Sequence, residues 1–308
     1  MEKLPRPQYA SLERISTTQL WFQIFAIRPT VFAIYEPYQQ QEVISYLIVG
    51  PRKCLLIDTG MGIGNIQQVV TELSSLPLIV INTHTHYDHV GDNWRFERSL
   101  LGMNCPFSQR CDVDQLNEAQ DEVKDGAIDN AHIPKDFDRA SYRIKPFQLA
   151  EYVTDRSMID LGDDRTVQVI FTPGHTPDSI SLFDKSERLL FVGDVFYLGP
   201  IYLHRPETNL DEYVVSLRTL VQIIEDGHVD LVVPSHNTPN VEPSMLITAL
   251  HAIRKVVNGE VTAEKTDDGS CNKYDFGEFS FVIDSKLVNA CTRVSSGQGR
   301  AEHLIHSK

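Results

Sequence analysis

Residues 21–27, 31–35 and 44–49 are short runs rich in apolar side chains, each bounded by proline, glycine or polar clusters, and they predict three strands. Cys54-Leu55-Leu56-Ile57 is continuously apolar, as a strand covered on both faces must be, and it ends in Asp58-Thr59-Gly60. Ile66, Val69, Val70, Leu73 and Leu76 then recur at helical spacing and stop before Pro77. A strand over 78–82 delivers the chain into Thr83-His84-Thr85-His86-Tyr87-Asp88-His89-Val90-Gly91. Strand-like runs return at 167–171, 180–183 and 189–192, the last two predicting a hairpin about Asp184-Lys185-Ser186-Glu187. Thr172-Pro173-Gly174-His175-Thr176-Pro177 lies between the first two. Leu210, Tyr213, Val214, Leu217, Leu220, Val221 and Ile224 share one helical face, with Asn209 placed to cap its start and Gly227 to end it. A strand over 229–233 leads into Pro234-Ser235-His236-Asn237, a helix covers 244–257, and the alternation over 274–283 predicts a final strand. Strands followed by a helix in both halves point to an α/β protein in which sheets are covered by helices.

The chain has 308 residues, 42% of them hydrophobic and 23% charged, so it is globular and long enough for a large core. Lys and Arg number 28 against 42 Asp and Glu, a net charge of −14. A polyanion would meet an unfavourable field, which argues against general nucleic-acid binding. No apolar run approaches the roughly 18–20 residues that span a bilayer, so no membrane segment is expected. The start, MEKLPRPQYA, has prolines and charges where a secretory signal needs an apolar run. Cys54, Cys105, Cys111, Cys271 and Cys291 are odd in number and hold no CxxC pair, so they read as reduced thiols of a cytoplasmic protein. Residues 112–139 carry nine acidic and three basic residues with few apolar positions. That stretch, extended to 112–146, is expected to be a solvated lid or insertion with no catalytic residue of its own. From about 285 onward serine, glycine and charge replace any periodicity. The expected organisation is an extension over 1–19, a catalytic domain over 20–283 and a flexible tail over 284–308.

His84, His86, Asp88 and His89 place four potential metal ligands within six residues, directly after a strand. Three imidazoles and a carboxylate suit zinc, with iron or manganese as alternatives. His175, Asp194 and His236 each follow a strand as well, and loops at the ends of adjacent strands can meet at one rim. The order HxHxDH, PGH, GD and a late His after an apolar strand, preceded by Asp58-Thr59-Gly60, resembles the metallo-β-lactamase fold hydrolases over residues 20–283. The resemblance implies a four-layer αββα sandwich with two zinc ions per chain at one edge of the two sheets. His84, His86 and His175 would hold the first ion, Asp88, His89 and His236 the second, and Asp194 would bridge them. Asp58 matches a position that orients the ligands from behind, although a strand-ending turn would look the same in sequence. Two metals lower the pKa of a bridging water from about 15.7 toward 7. The resulting hydroxide can attack an acyl, phosphoryl or sulfuryl centre, with Asp88 orienting it and passing its proton to the leaving group. The diiron flavoproteins of this fold carry Glu where His86 stands and a flavin domain that this chain lacks.

Tyr197, three residues after Asp194, is similarly placed to a tyrosine of the acyl-homoserine lactonases and the acyl-coenzyme A thioesterase branch. That likeness implies a hydrogen bond to the developing oxyanion; packing beneath the metal loop is the alternative. Residues 179–197, 210–233 and His236-Asn237 are most similar to the thioesterase branch, with Ser235 standing where the family commonly has Gly. Arg205 reads either as an anchor for a carboxylate or phosphate or as a solvated side chain. His132, His204, His228, His251, His303 and His306 read as surface residues, Asp178 as structural, and Asn237 as a loop cap or a substrate contact. The expectation is a dinuclear zinc hydrolase that cleaves an ester, thioester or lactone of a small molecule. A β-lactamase, a hydroxyacylglutathione hydrolase and a mononuclear iron persulfide dioxygenase stay open as alternatives. An RNase Z-like phosphodiesterase is disfavoured by the acidic charge, and a non-catalytic scaffold by the retention of all seven ligands. Homodimerisation stays open.

Overall fold

The computed structural model describes residues 4–96, 99–108 and 119–288. A first sheet contains β1 (Glu13–Ile15), β2 (Gln23–Arg28), β3 (Val31–Tyr35), β4 (Ile44–Val49), β5 (Cys54–Ile57), β6 (Leu78–Ile81), β7 (Leu100–Met103) and β8 (Glu151–Val153) in chain order. Pairing is antiparallel from β1 to β5 and parallel from β5 to β8. A second sheet has β9 (Met158–Gly162), β10 (Arg165–Phe171), β11 (Ile180–Asp184) and β12 (Leu189–Gly193) as an antiparallel meander. After β13 (Gly199–Leu203) the chain adds β14 (Leu231–Pro234) to that sheet, parallel to β12. A third sheet runs β13, β17 (Phe279–Asp284), β16 (Cys271–Asp275) and β15 (Glu264–Lys265).

Three apolar clusters define the layers. Phe25, Val31, Tyr46, Leu55 and Ile57 of the first sheet meet Val167, Leu182, Phe191 and Val233 of the second in one buried core. The opposite face of the first sheet packs Leu47, Leu56 and Val80 against Ile66, Val69 and Val70 of helix α1 (Ile66–Leu73). The opposite face of the second packs Leu190, Val192 and Val232 against α2 (Leu210–Glu225) and α3 (Pro243–Val257), with Phe279, Phe281 and Ile283 of the third sheet beside them. The fold is therefore the expected αββα sandwich, with a small sheet added to one helical layer. Helix ends follow local chemistry. The Asn209 side chain accepts from Asp211 and Glu212 N–H at the start of α2, where two acidic side chains also suit the dipole.

Strand signals in the apolar runs are realised to within a residue or two, but 274–283 is not one strand. Gly277, with φ of +87°, turns the chain there, and its N–H donates to Asp275, so β16 and β17 form a hairpin. The periodic signal also missed β1, β7, β8, β9, β13 and β15, which are short, polar or interrupted by Gly and Pro. Within the expected solvated lid, Ala119, Val123, Ile128, Tyr142 and Ile144 are buried in the α1 cluster, and the Tyr142 hydroxyl donates to the Met61 carbonyl at 2.5 Å. That described part is a packed cover; residues 112–118 lie outside the described residues. Tyr9 of the expected extension packs in the inter-sheet core, its ring 4.6 Å from that of Tyr35. The tail beyond residue 288 lies outside the described residues. No helix among the described residues is long and apolar enough to cross a membrane.

The C-terminal ends of β5, β6, β10, β12 and β14 all open on one rim, and Ile180 N–H to Thr83 C=O at 2.7 Å stitches the sheets together there. Gly174 lets a rim turn press on α2: its φ is +135°, and a Cβ would fall 2.3 Å from Tyr213 N. Gly174→Ala is expected to cost about 1–3 kcal/mol in denaturant unfolding and to lower bound metal by displacing His175. An unchanged midpoint with full metal content would show that the turn and helix part freely.

Candidate metal centre

Seven side chains from four loops converge at this rim, and all seven are buried. His84 Nε2 and His175 Nε2 each lie 3.0 Å from His86 Nδ1. This spacing is close to the roughly 3.3 Å edge of a tetrahedral site with zinc–nitrogen bonds of about 2.0–2.1 Å. Beside them, His236 Nε2 lies 3.1 Å from Asp194 Oδ2 and 3.6 Å from Asp88 Oδ2, and His89 Nε2 lies 3.7 Å from Asp88 Oδ1. Asp194 stands between the two groups, with Oδ2 also 3.7 Å from His175 Nε2.

The far nitrogen of each ring fixes what the near one offers. His175 Nδ1 donates to the Tyr202 carbonyl at 3.0 Å and His236 Nδ1 to the Gln41 carbonyl at 2.7 Å, so both Nε2 lone pairs face the centre. His86 Nε2 faces Glu207 Oε1 at 3.1 Å, which turns the Nδ1 lone pair inward. His89 Nδ1 faces Asp58 Oδ2 at 2.8 Å, and His84 Nδ1 lies 3.2 Å from the Thr83 hydroxyl. Burial holds His84 and His86 well below the ordinary imidazole pKa and His175 down at about 4, so these rings are neutral, as ligands must be. Burial also opposes charge on His89 and His236, but carboxylates outweigh it: Asp88, Asp58 and Asp194 raise His89, and Asp194 and then Asp88 raise His236. Positive charge is thus stabilised at the second group.

Two atoms test whether metal ions fit. His89 Nε2 and Asp194 Oδ1 are buried 3.4 Å apart, and neither has a hydrogen-bond partner. Such orphans are costly in a native interior, and a divalent cation would satisfy both. The close donor groups are His84, His86 and His175; His84, His89 and Asp194; and Asp88, His89 and His236. The donor set therefore fits one or two divalent ions.

Residues 42–236, more than half of the chain, match the family model for the metallo-beta-lactamase superfamily. The chain belongs to that superfamily. The bovine (Bos taurus) acyl-coenzyme A thioesterase MBLAC2 is 26% identical to it over 230 residues, which cover 70% of this chain and 81% of the relative. Its human (Homo sapiens) counterpart is 25% identical with the same coverage. A metallo-beta-lactamase from Pontibacter korlensis aligns with a TM-score of 0.53 at 17% identity, over 76% of this chain and 99% of that one, a likeness of fold.

Within this superfamily member, a cavity of about 380 Å³ opens on the ligands, and Gln40, Tyr87, Glu122, Tyr197, Tyr202 and Arg205 are among its walls. Tyr197 is buried with its ring 5.0 Å from that of His236; burial, then Asp194, raises its phenol pKa and keeps it a neutral donor. His204, expected on the surface, also lines the cavity, while His132 stacks on Tyr38 with ring centroids 3.7 Å apart. Asp178 ties two metal loops by accepting from Thr85 and Thr176 hydroxyls at 2.7 Å each. Asn237 ties the loop after β14 to the one before β13, donating to the Leu198 carbonyl at 2.6 Å. Sequence reasoning missed Glu207, because nothing in the spacing of a polar loop marks a carboxylate that will meet a ligand ring.

Asp194→Ala is expected to abolish most bound metal by elemental analysis; two full equivalents would overturn its placement between the groups. Glu207→Gln should weaken metal binding about 10–100-fold in a chelator competition while the unfolding midpoint holds. Equal affinity would leave Glu207 without influence on His86.

Proposed function

We propose that the protein is a dinuclear zinc hydrolase that cleaves an ester, thioester or lactone bond of a small molecule. His84, His86 and His175 would hold one ion, Asp88, His89 and His236 the other, and Asp194 both. When bound, two zinc ions supply a water of lowered pKa and a Lewis acid for the substrate oxygen. The observation that carries the acyl reading is Tyr197, a neutral phenol on the cavity wall beside His236 and Asp194. It is placed to donate a hydrogen bond to a carbonyl oxygen as negative charge develops there, an effect worth on the order of 3 kcal/mol. Asp88 faces the same cavity, where its carboxylate orients the attacking water and moves a proton toward the leaving group. Burial of the whole donor set excludes bulk water and strengthens each of these interactions.

The relatives named as acyl-coenzyme A thioesterases support a thioester as the bond cleaved. Arg205 shares the cavity wall with Asp121 and Glu122, so a charged carrier would meet both signs there. Cys54, Cys105 and Cys271 are free thiols, in keeping with a reducing, cytoplasmic setting.

Elemental analysis run beside a panel of thioesters, lactones, a chromogenic cephalosporin and a phosphodiester tests the proposal. About two zinc per chain with thioester or lactone turnover is the expected result. One iron per chain, with oxygen uptake on a persulfide and no hydrolysis, would overturn it. Tyr197→Phe should lower kcat for the acyl substrate about 100-fold with metal content intact, and an unchanged kcat would remove Tyr197 from the chemistry.

A further inference from the structure

His236 reaches the centre from the end of β14, and a second stretch of backbone holds it there. Ile44 N–H donates to the Ser235 carbonyl at 2.8 Å, Val43 and His236 form an antiparallel bridge, and Asn237 N–H donates to the Glu42 carbonyl at 3.1 Å. The Gln41 carbonyl that accepts the hydrogen bond from His236 Nδ1 belongs to the same stretch. The position of the His236 ring therefore follows the conformation of residues 41–44.

That conformation centres on a buried charge. Glu42 is in the left-handed region, with φ of +47°, and its carboxylate is only 9% exposed. Such a position is uncommon for a residue with a side chain and persists only where the surroundings hold it. Tyr35 Oη donates to Glu42 Oε2 at 2.5 Å. Arg6 supplies the positive charge, with Nη2 2.6 Å from Oε1 and Nε 3.0 Å from Oε2, a two-pronged pairing. The same Nη2 also donates to Asn237 Oδ1 at 3.1 Å. One guanidinium thus grips Glu42 on one side of the clamp and Asn237 on the other. Neutralising Arg6 would leave a buried carboxylate uncompensated at a left-handed position, and Glu42 would turn outward.

We infer that Arg6, from the N-terminal segment, is a positioning residue for the second metal group: it fixes His236 through Glu42 and Asn237 and so sets how tightly that group holds its ion. The three-histidine group takes its outer contacts elsewhere, from Tyr202, Glu207 and Thr83, and does not depend on Arg6. This inference rests on the dinuclear reading above.

Stepwise Zn2+ titration of the full chain, stripped by a chelator and followed by competition with a chelating dye, tests it. The wild-type protein is expected to bind in two steps. Arg6→Gln should keep the first step and weaken the second about tenfold or more, the range typical of partners that orient a ligand ring. Arg6→Lys keeps the charge without the fork and should restore most of the second step. The paired change Arg6→Gln with Glu42→Gln removes the uncompensated charge and guards against a single variant that fails to fold; its second step should exceed that of Arg6→Gln. Two unaltered steps in Arg6→Gln, or equal weakening of both, would overturn the inference and leave the dinuclear reading standing. A single step in the wild-type protein would instead overturn the dinuclear reading itself.

Discussion

Asp58 is fully buried at the end of β5, and its two oxygens accept from four groups on two loops. Thr83 N–H reaches Oδ1 at 2.7 Å, while the Thr83 hydroxyl, His89 Nδ1 and the Ser235 hydroxyl surround Oδ2 at 2.8, 2.8 and 3.2 Å. A buried carboxylate must collect such donors, and this requirement pulls together the loops after β6 and β14, which belong to different sheets. The rim geometry follows from that demand. His84 and His89 sit on one side of the carboxylate's partners and His236 follows Ser235 on the other. Asp58 itself adopts φ of +63°, a conformation held by the contacts it makes.

Much of this was legible in the chain. Apolar runs marked the inner strands because a strand covered on both faces has no polar alternation to lose, and the ligand spacing marked the rim because four donors within six residues have few other uses. The resemblance carried Asp194 and His236 to their places. What stayed hidden is of two kinds. Strands such as β13, Gly199-Pro200-Ile201-Tyr202-Leu203, have a glycine and a proline that read as a loop, and only pairing with β17 makes them strands. The outer contacts of the ligand rings were hidden because several come from backbone carbonyls, of Gln41 and Tyr202, which carry no sequence identity at all. Glu207 and Arg6 are ordinary polar residues until the fold places them.

The acidic stretch shows why composition misleads about packing. Its charges suggested a segment held in solvent, yet a few apolar side chains suffice to dock it, because Tyr142, Ile144 and Ile128 reach the cluster over α1. Among the described residues, Asp125, Asp129, Asp136 and Asp138 are exposed, and Asp121 and Glu122 line the cavity, where Glu122 is gripped by Gln39 and Gln40 at 2.7 and 2.9 Å. Among the described residues, docking and charge are carried by different positions of one segment, so its charge says nothing of the side chains that pack.

The grip of Arg6 on Asn237 joins positions 231 apart in the chain. At a synthesis rate of about 5–20 residues per second, roughly 10–50 seconds separate the emergence of the two residues from a ribosome. Within that interval the inner face of β2 to β5 waits for the second sheet, whose strands follow from residue 158 onward, and the ligand loop at 84–89 gains His175, Asp194 and His236 one after another. Closure over such separations delays folding, because the entropy of the loop is lost before the contacts that reward it can form. The metal loop therefore stays unfinished until the last of these ligands is made, and a complete centre certifies that translation has passed residue 236.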